Sequence, residues 1–409
     1  MKKINFILFL LLNVMSSAIV NAADLTVQEF GAGGNYSSIN AAMTAAVNGD
    51  RIIVIPKAGN APWVEDLNVK KSLTFISDNE NGKIKLTGHI YVHPNSALNV
   101  TFIGLDISGF LRASQQGNGG TRTIVNIYNC TINGDINFNK ENYYVSIASS
   151  SLKYIEFRAG RILGSTIYGY VLIKPEGQSS YPVISDSMLI IGNRILNSFV
   201  QYPTISINAS KYSFVINNNF ITTHSTGIEL LNLKPSDHEV INNTFYLNPT
   251  SANKIAIEII NLPQSSKLQI KNNLLHSTSS NFHLEHALYG GASISGLVTI
   301  GFNYFNDGFD YYFFGLTNDG TNVTGFPFTL NTTTGAVLTG NLTDVGHPDA
   351  TFTDLDLTTN DVGCYGGSFS MDNFFPANDT NAKVYYLELP RRTGAGITTV
   401  PVKAEAFDK

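Results

Sequence analysis

Four basic residues lie in the middle of a chain that is only 14% charged. Lys153, Arg158, Arg161 and Arg194 lie there between short apolar segments. A polysaccharide lyase removes a proton beside a uronate carboxylate, and it therefore needs a general base and a cation that neutralises the carboxylate. These four residues are the catalytic candidates for that chemistry. The alternative is a set of solvated surface charges, because most charged side chains of proteins are exposed.

Paired carboxylates are a second kind of candidate. A glycoside hydrolase holds two of them about 5–9.5 Å apart. Asp354 and Asp356 would share one side of a strand, whereas Asp135, Glu141 and Glu156 are scattered over successive strands. The alternative is that these acids are solvated or cap turns, as most Asp and Glu residues are exposed.

Tyrosines could bind a sugar polymer, because sugar rings stack on exposed aromatic faces. Tyr143, Tyr144 and Tyr170 are the candidates for such a binding surface. The alternative is that these rings stack inside the core, which is the commoner place for large aromatic side chains.

The sequence predicts no metal centre and no bound cofactor. His283-Leu284-Glu285-His286 has the spacing of metal ligands, but no third ligand is evident, and a metal site needs at least three placed ligands. A Ca²⁺ ion enters only through the lyase alternative, in which it would neutralise the carboxylate of the substrate.

The elements that must position these residues are marked by a repeated phrase. In each copy an asparagine stands two places before a large apolar residue, such as Phe220 or Phe245. It stands at Asn193, Asn218, Asn243, Asn272 and Asn303, at steps of 25, 25, 29 and 31 residues. Self-similarity with a period of about 20 to 50 residues is the mark of a solenoid.

The five asparagines are predicted to form a structural ladder. An inward asparagine at a tight bend can donate and accept hydrogen bonds, and it tolerates the left-handed conformation that the bend needs. Because the residues recur with the period of the fold, they would stack on one another from coil to coil. A ligand-binding role for the row is the alternative.

Short strands with alternating apolar residues fill the chain from residue 64 to residue 305, without helical segments between them. This pattern predicts an all-β chain that winds into a parallel β-helix of roughly twelve coils. A βαβ fold would need helices between the strands, and a propeller would need longer repeats. Before the coils, Ile39, Met43 and Val47 fall on one helical face, and Ser37 or Ser38 can cap it. This segment predicts an N-terminal capping helix that covers the first coil.

The beginning of the chain indicates export. Lys2 and Lys3 precede an uncharged apolar run and a small-residue exit at Ala22, which is typical of a secretory signal peptide. The run is too short for a membrane span of about 20 residues, and no later stretch could span one. We therefore expect a signal peptide over residues 1–22, a β-helix domain over residues 23–375, and a linker with a short β-strand tail over residues 376–409.

Net charge and cysteine content limit the kinds of binding partner and cross-link that we expect. Loss of Lys2 and Lys3 with the signal peptide would change the formal net charge from −5 to −7, and no basic run is present, so nucleic acid is not expected as a partner. Cys130 and Cys364 are too few for a disulfide framework. Both are predicted to be buried and reduced, with one isolated disulfide as the alternative. We expect a monomer.

These features together resemble a known group of proteins. The helix-then-strand entry at residues 36–55, the repeated asparagine coils and the closing phrase at residues 361–367 are similar to right-handed parallel β-helix proteins of the pectate-lyase-like superfamily, and most of all to secreted repeat proteins of Bacteroidetes-type bacteria. The resemblance covers roughly residues 24–375 and implies a right-handed winding. The superfamily includes polysaccharide lyases, glycoside hydrolases, esterases, epimerases and non-catalytic surface proteins.

The resemblance does not fix an activity. The Arg-x-Pro-x-x-Arg and Asp-rich calcium motifs of the lyases are absent, and so are the adjacent Asp pairs and the Gly-His-Gly of the hydrolases. We therefore expect a secreted or cell-surface protein that binds an extracellular polysaccharide or cell-surface glycan, or that mediates adhesion. The alternatives are a polysaccharide lyase or glycoside hydrolase acting along the middle coils, and a structural spacer. The site is expected where the repeat falters, in residues 110–200 and 280–350.

Overall fold

The computed structural model describes the chain from Ala22 to Asp408 in segments. These are residues 22–30, 35–78, 82–93, 97–114, 121–140, 142–175, 185, 187–208, 211–248, 255–278, 284–291, 294–306, 309–375, 382–388 and 402–408. The predicted signal peptide, apart from Ala22, lies outside the described residues.

The described residues form 36 strands and two α-helices. The helices are α1 (Ile39–Ala45) and α2 (Met371–Phe374). The strands are β1 (Asp24–Val27), β2 (Arg51–Val54), β3 (Trp63–Val64), β4 (Leu67–Val69), β5 (Thr74–Ser77), β6 (Ile84–Thr87), β7 (Ile90–Val92), β8 (Asn99–Ile103), β9 (Leu105–Ile107), β10 (Leu111–Ala113), β11 (Thr123–Tyr128), β12 (Thr131–Phe138), β13 (Tyr143–Ala148), β14 (Ser151–Phe157), β15 (Gly160–Leu163), β16 (Thr166–Ile167), β17 (Val171–Ile173), β18 (Ser187–Ile191), β19 (Arg194–Leu196), β20 (Ile205–Asn208), β21 (Ser213–Asn217), β22 (Phe220–Thr223), β23 (Ile228–Leu231), β24 (Asp237–Ile241), β25 (Thr244–Leu247), β26 (Ile255–Ile260), β27 (Lys267–Lys271), β28 (Leu274–Ser277), β29 (Leu284–Gly290), β30 (Leu297–Gly301), β31 (Tyr304–Phe305), β32 (Phe309–Phe314), β33 (Thr329–Leu330), β34 (Val337–Thr339), β35 (Ala382–Glu388) and β36 (Lys403–Asp408).

Three parallel faces wind around one axis. Sheet A has twelve strands in the order β1-β2-β5-β8-β11-β13-β15-β18-β21-β24-β27-β30. The second sheet has two rows that share the long strands β12 and β14. Row B1 is β3-β6-β9-β12-β14-β16-β19-β22-β25-β28-β31, and row B2 is β4-β7-β10-β12-β14-β17-β20-β23-β26-β29-β32. The protein is thus a right-handed parallel β-helix, as the sequence predicted, and the twelve strands of sheet A match the expected number of coils.

The core is built from side chains that alternate inward along each strand. Phe75 and Phe102, on adjacent coils, stack with ring centroids 5.1 Å apart, and both are fully buried. Burial of each such side chain contributes about 1.5–3 kcal/mol. The inward rows of Ile, Val, Leu and Phe therefore stabilise the stack along its whole length.

Helix α1 covers the first coils, as predicted. Ser38 accepts a hydrogen bond from the Ala41 N–H and so caps the N-terminus of the helix. Ile39 and Met43 are buried against the core. At the other end, the Lys71 ammonium group donates hydrogen bonds to the Met43 and Thr44 carbonyls at 3.0 Å, which satisfies carbonyls that the helix leaves unpaired.

After β32 the chain turns back along the outside of the coils. We call residues 315–375 the return segment. It runs along the corner between sheet A and row B1, and its Phe374 packs against Gly164 and Gly192, where a larger residue would have no room. Both cysteines are buried and reduced, as predicted, and burial raises the pKa of Cys130 to about 11 and that of Cys364 to about 12.

Two further features complete the chain. Strands β35 and β36 pair antiparallel as a hairpin. No helix among the described residues has the length and apolar character that a membrane crossing requires.

Candidate functional site

The asparagine ladder stands at the corner between sheet A and row B1. Each backbone N–H donates to the side-chain oxygen one coil ahead, and each amide also reaches a carbonyl one coil behind, as in the bond from Asn243 Nδ2 to the Ile216 carbonyl at 2.7 Å. The ladder runs without a break through Cys130, Ser150, Ser165, Asn193, Asn219, Asn243, Asn273, Asn303 and Asn322. Its members from Cys130 to Asn303 are buried, so the row is structural.

The structure corrects the predicted membership of this ladder. Asn193, Asn243 and Asn303 belong to it, whereas Asn218 and Asn272 are one residue out of register. These two have φ angles of 55° and 56°, and they occupy the left-handed position of the bend, directly before the ladder. The sequence pattern misplaces them because the large apolar residue follows the bend at different distances: Phe220 pairs with Thr244 and not with Phe245.

The asparagines at the left-handed position hold the return segment instead. The Asn218 amide donates to the Cys364 and Gly366 carbonyls. Asn242 Nδ2 donates to Asn360 Oδ1 at 2.8 Å. Asn272 Oδ1 accepts from the His347 N–H at 2.8 Å. The coils and the return segment are therefore joined by side-chain amides at successive corners.

Two of the three predicted binding tyrosines are not available to a ligand. Tyr143 is 1% exposed, and its hydroxyl donates to the Val92 carbonyl at 2.8 Å. Tyr144 is 8% exposed. Burial raises the pKa of both phenols. The prediction for these two residues is thus corrected: they serve packing, because β13 is buried on both of its faces.

The four basic candidates do not converge on one site. Lys153 lies on row B2, with its ammonium group 5.2 Å from the centre of the Tyr154 ring. Arg158 donates to Asn139 Oδ1 at 2.9 Å, and Arg161 lies on sheet A. Arg194 packs over the Phe375 ring of the return segment at 4.0 Å. These four residues therefore do not form a single catalytic cluster, and Lys153 borders a surface cavity.

That cavity is a groove of about 430 Å³ on the outer surface of row B2. Strands β10, β12, β14 and β17 place its lining in register, since Arg112 is paired with Asn137 and Asn137 with Glu156. The lining consists of Arg112, Asn133, Gly134, Asp135, Ile136, Asn137, Lys153, Tyr154, Ile155, Glu156 and Tyr170. The groove lies in the middle coils, within the range expected from the sequence.

Ion pairs fix the polar wall of the groove. The Arg112 guanidinium donates to both carboxylate oxygens of Asp135, at 2.7 Å and 2.6 Å. Glu156 accepts from Asn139 Nδ2 at 2.7 Å and lies 3.9 Å from the Lys174 ammonium group. Because each carboxylate is already held by a cation or an amide, both are oriented before any ligand arrives.

Aromatic rings form the apolar wall. The Tyr154 and Tyr170 rings are 5.2 Å apart, and the Tyr170 and Tyr202 rings are 4.9 Å apart. Phe199 lies edge-on to Tyr154 at 5.4 Å. Adjacent rings of Tyr154, Tyr170 and Tyr202 are tilted by 36° to one another, and Tyr202 is 47% exposed, so the row opens to solvent. Burial raises the pKa of Tyr170, and the neighbouring Tyr202 and Glu156 add to the shift, so this phenol stays protonated and can donate a hydrogen bond.

A carboxylate pair lies further along the same row, and the sequence alone did not reveal it. Glu229 and Glu258 are register partners on β23 and β26. The Ser206 hydroxyl donates to Glu229 at 2.6 Å. Burial, and next the charge of Glu229, raise the pKa of Glu258. Glu229 and Glu258 are 29 residues apart in the chain, which is the length of one coil. That spacing is the one feature of the sequence that could have indicated that the two carboxylates are neighbours.

The predicted acidic pair in the return segment is part of another arrangement. Asp344, Asp354 and Asp361 each place one oxygen within 4.8 Å of the others, whereas Asp356 is exposed and caps Thr358. Oxygen ligands of this kind suit Ca²⁺. Both oxygens of Asp354 already accept backbone N–H groups, from Asp361 and Gly367, so the described contacts account for this cluster as a loop brace.

Comparisons with known proteins give a structural likeness. The chain is similar in structure to a crystal structure of pectate lyase Pel9A, with 13% sequence identity and a TM-score of 0.44. The matched region covers 85% of this chain and 97% of the pectate lyase chain. No family model and no curated protein matches the sequence.

Proposed function

We propose that this protein binds an extended carbohydrate along the groove of row B2. The observation that carries the proposal is the row of tilted rings of Tyr154, Tyr170 and Tyr202 beside carboxylates that are held in place. Aromatic faces bind the apolar faces of sugar rings, and fixed charged groups accept or donate to sugar hydroxyls. The repeat of the coils along one straight face suits a polymer rather than a compact ligand.

Binding measurements on a matched pair of tyrosine variants test the proposal. Tyr170→Ala removes the centre of this row of rings, and we expect it to weaken glycan affinity about tenfold, which corresponds to about 1.4 kcal/mol. Tyr168→Ala removes an equally large, exposed ring that does not line the groove, and it should leave the affinity unchanged. Affinity electrophoresis over pectic, alginate and glycosaminoglycan polymers supplies the ligands. Equal retention of the two variants would show that the groove is not the binding site.

A second candidate function rests on Glu229 and Glu258. Neighbouring strands lie about 4.8 Å apart, close to the roughly 5–5.5 Å that separates the carboxyl groups of retaining glycoside hydrolases. The raised pKa of Glu258 suits a general acid, and the hydrogen bond from the Ser206 hydroxyl holds the Glu229 side chain in place as the candidate nucleophile. In this reading a sugar bound in the groove would extend over the pair.

A depolymerisation screen separates binding from catalysis. Reducing ends that appear with the parent and vanish with Glu258→Gln would favour the hydrolase. Unsaturated products would point to a lyase instead, which this pair does not explain. Retention of a polymer without either product supports the binding function.

Export and a monomeric state belong to the same proposal. Secretion would place the groove where extracellular polysaccharides are found. N-terminal sequencing of the mature protein should give Ala23 as the first residue, and light scattering should give the mass of one chain. An unprocessed N-terminus or a dimer mass would contradict these two expectations.

A further inference from the structure

The outer surface of row B2 continues beyond the groove as one straight column of side chains. Leu172 on β17 pairs with Ser206, Ser206 with Glu229, and Glu229 with Glu258. Each of the two glutamates stands between buried residues of its strand, so both side chains point outward. Tyr170 of the groove directly precedes β17, and β23 is two strands further, at about 10 Å. A polymer that leaves the groove in this direction therefore crosses the two carboxylates.

The column ends at a second aromatic surface. Glu258 pairs with Tyr289, and Tyr289 pairs with Phe314 on the last strand of the row. The two rings are nearly parallel, at 7°, with centroids 5.2 Å apart, and Phe314 is 48% exposed. An exposed aromatic ring can bind the apolar face of a sugar. The two carboxylates thus lie between two aromatic surfaces on one face of the β-helix.

The carboxylates of this column differ in how their charge is balanced. Asp135 and Glu156 of the groove each lie next to a basic side chain. In the part of the chain that the structure describes, no ion pair includes Glu229 or Glu258. Burial, and next the charge of Glu229, raise the pKa of Glu258, so the two carboxylates already repel each other. A third carboxylate beside them would add to this repulsion.

Hydrogen-bonding capacity leads to the same conclusion about the ligand. An ionised carboxylate only accepts hydrogen bonds, and bonds to a charged acceptor are strong. A neutral sugar offers hydroxyl donors, whereas a uronate adds a group that is negatively charged and accepts only. We propose that this face binds a neutral polysaccharide whose hydroxyls donate to Glu229 and Glu258 as the chain runs from Tyr170 to Phe314. The proposal rests on the binding function proposed above and specifies the class of its ligand.

Matched hexasaccharides test the charge of the ligand. Three pairs are titrated calorimetrically into the full chain at pH 7.5: galactan with galacturonan, glucan with glucuronan, and mannan with mannuronan, each pair with one linkage. The tightest ligand should be neutral, and it should bind at least about tenfold more tightly than its uronate counterpart. A uronate as the tightest ligand overturns the proposal. The same holds if a uronate becomes the tightest ligand after Ca²⁺ replaces EDTA in the buffer.

Charge-removing variants show whether the two glutamates cause the selectivity. Glu229→Gln/Glu258→Gln should bind the uronate hexamer at least about fivefold more tightly than the parent does, without a gain for the neutral hexamer. Glu258→Gln alone should give a smaller gain, which keeps the test valid if the double variant does not fold. Asp237→Asn is the control, because it removes an exposed carboxylate from sheet A and should change neither affinity. No gain with the glutamate variants, or an equal gain with Asp237→Asn, refutes the proposal.

The path of the chain is tested at the second aromatic surface. Phe314→Ala should weaken binding of the neutral hexamer about threefold to tenfold, because it removes the far contact. Leu297→Ala is the control, since Leu297 is 59% exposed on sheet A at the same end of the β-helix. Equal affinities of these two variants would refute the path across the glutamates.

This inference and the function of the groove fail in different ways. If Tyr170→Ala weakens binding but the tightest ligand is a uronate, the groove remains the binding site and the neutral ligand is refuted. If none of the six hexamers binds, both proposals are refuted.

Discussion

Asn243→Ala should be among the most destabilising single changes in the ladder. The amide nitrogen donates to the carbonyl of Ile216 at 2.7 Å and to Asn273 Oδ1 at 3.0 Å, and its oxygen accepts from the N–H and the amide of Asn219 at 3.0 Å and 2.9 Å. All of these atoms are buried. Alanine leaves at least the Ile216 carbonyl and the Asn219 N–H without their partner.

The expected loss follows from those unpaired groups. Each buried donor or acceptor without a partner costs about 1–3 kcal/mol, so two of them amount to about 2–6 kcal/mol of unfolding free energy. Because the coils of a solenoid interact mainly with their neighbours, the loss should be concentrated around β21, β24 and β27. A cost of this size is at the upper end of single substitutions and is readily measured.

Urea unfolding and hydrogen exchange measure the effect. The urea midpoint should fall while the m-value stays constant, and amide protection should decrease first in the three strands named above. Asn99→Ala is the matched control. Asn99 is exposed and accepts one hydrogen bond from Asn126 at 2.9 Å, so its loss should stay within about 0.5 kcal/mol. If Asn243→Ala were as stable as Asn99→Ala, the side-chain hydrogen bonds of Asn243 would not stabilise the coils.

Three other outcomes are expected. Tyr170→Ala should reduce glycan affinity about tenfold while Tyr168→Ala does not, as read by affinity electrophoresis. Gly192→Ala should loosen the return segment, because the φ of 66° at Gly192 disfavours alanine and a Cβ there would collide with the Phe374 ring. Hydrogen exchange of residues 360–375 should therefore become faster, and unchanged exchange would contradict the packing of Phe374 on Gly192. Glu258 has a raised pKa in the folded protein, so the folded state holds its proton more tightly than the unfolded state does. The stability that protonated Glu258 contributes is therefore fully present below about pH 4.5 and is lost as the pH rises through the folded pKa. The melting temperature of the parent should fall over this range of pH, whereas that of Glu258→Gln should not show this fall. Parallel pH profiles of the melting temperatures of the parent and the variant would contradict the prediction.

The misplacement of Asn218 shows where sequence reasoning about the repeat reaches its limit. An alignment on Phe220 and Phe245 places Asn218 in the ladder, but the strands pair Phe220 with Thr244. The left-handed bend sets the register of the coils, and asparagine occupies both the bend position and the ladder position after it. A pattern of residue types cannot distinguish two adjacent asparagines, whereas the backbone angle does.

The tyrosines show a second limit. Alternation along β13 would predict that Tyr143 and Tyr144 point to opposite sides, with one of them exposed. Both are buried, because the outer side of sheet A is covered at this point. One element that lies on this side comes from the far end of the chain, since Glu405 of the hairpin contacts Arg161. Such long-range covering leaves no trace in the local pattern.

The sequence by itself determined the period, the capping helix α1 and the parallel β-helix, because these follow from local alternation and from bends that recur along the chain. The tertiary structure decided which residues share a row. Tyr154, Tyr170 and Tyr202 meet, and Glu229 faces Glu258, only because each coil has its own length and the strands still stack in register. Loops of unequal length separate these residues in sequence by intervals that carry no period, and hydrogen bonding between the coils brings them together.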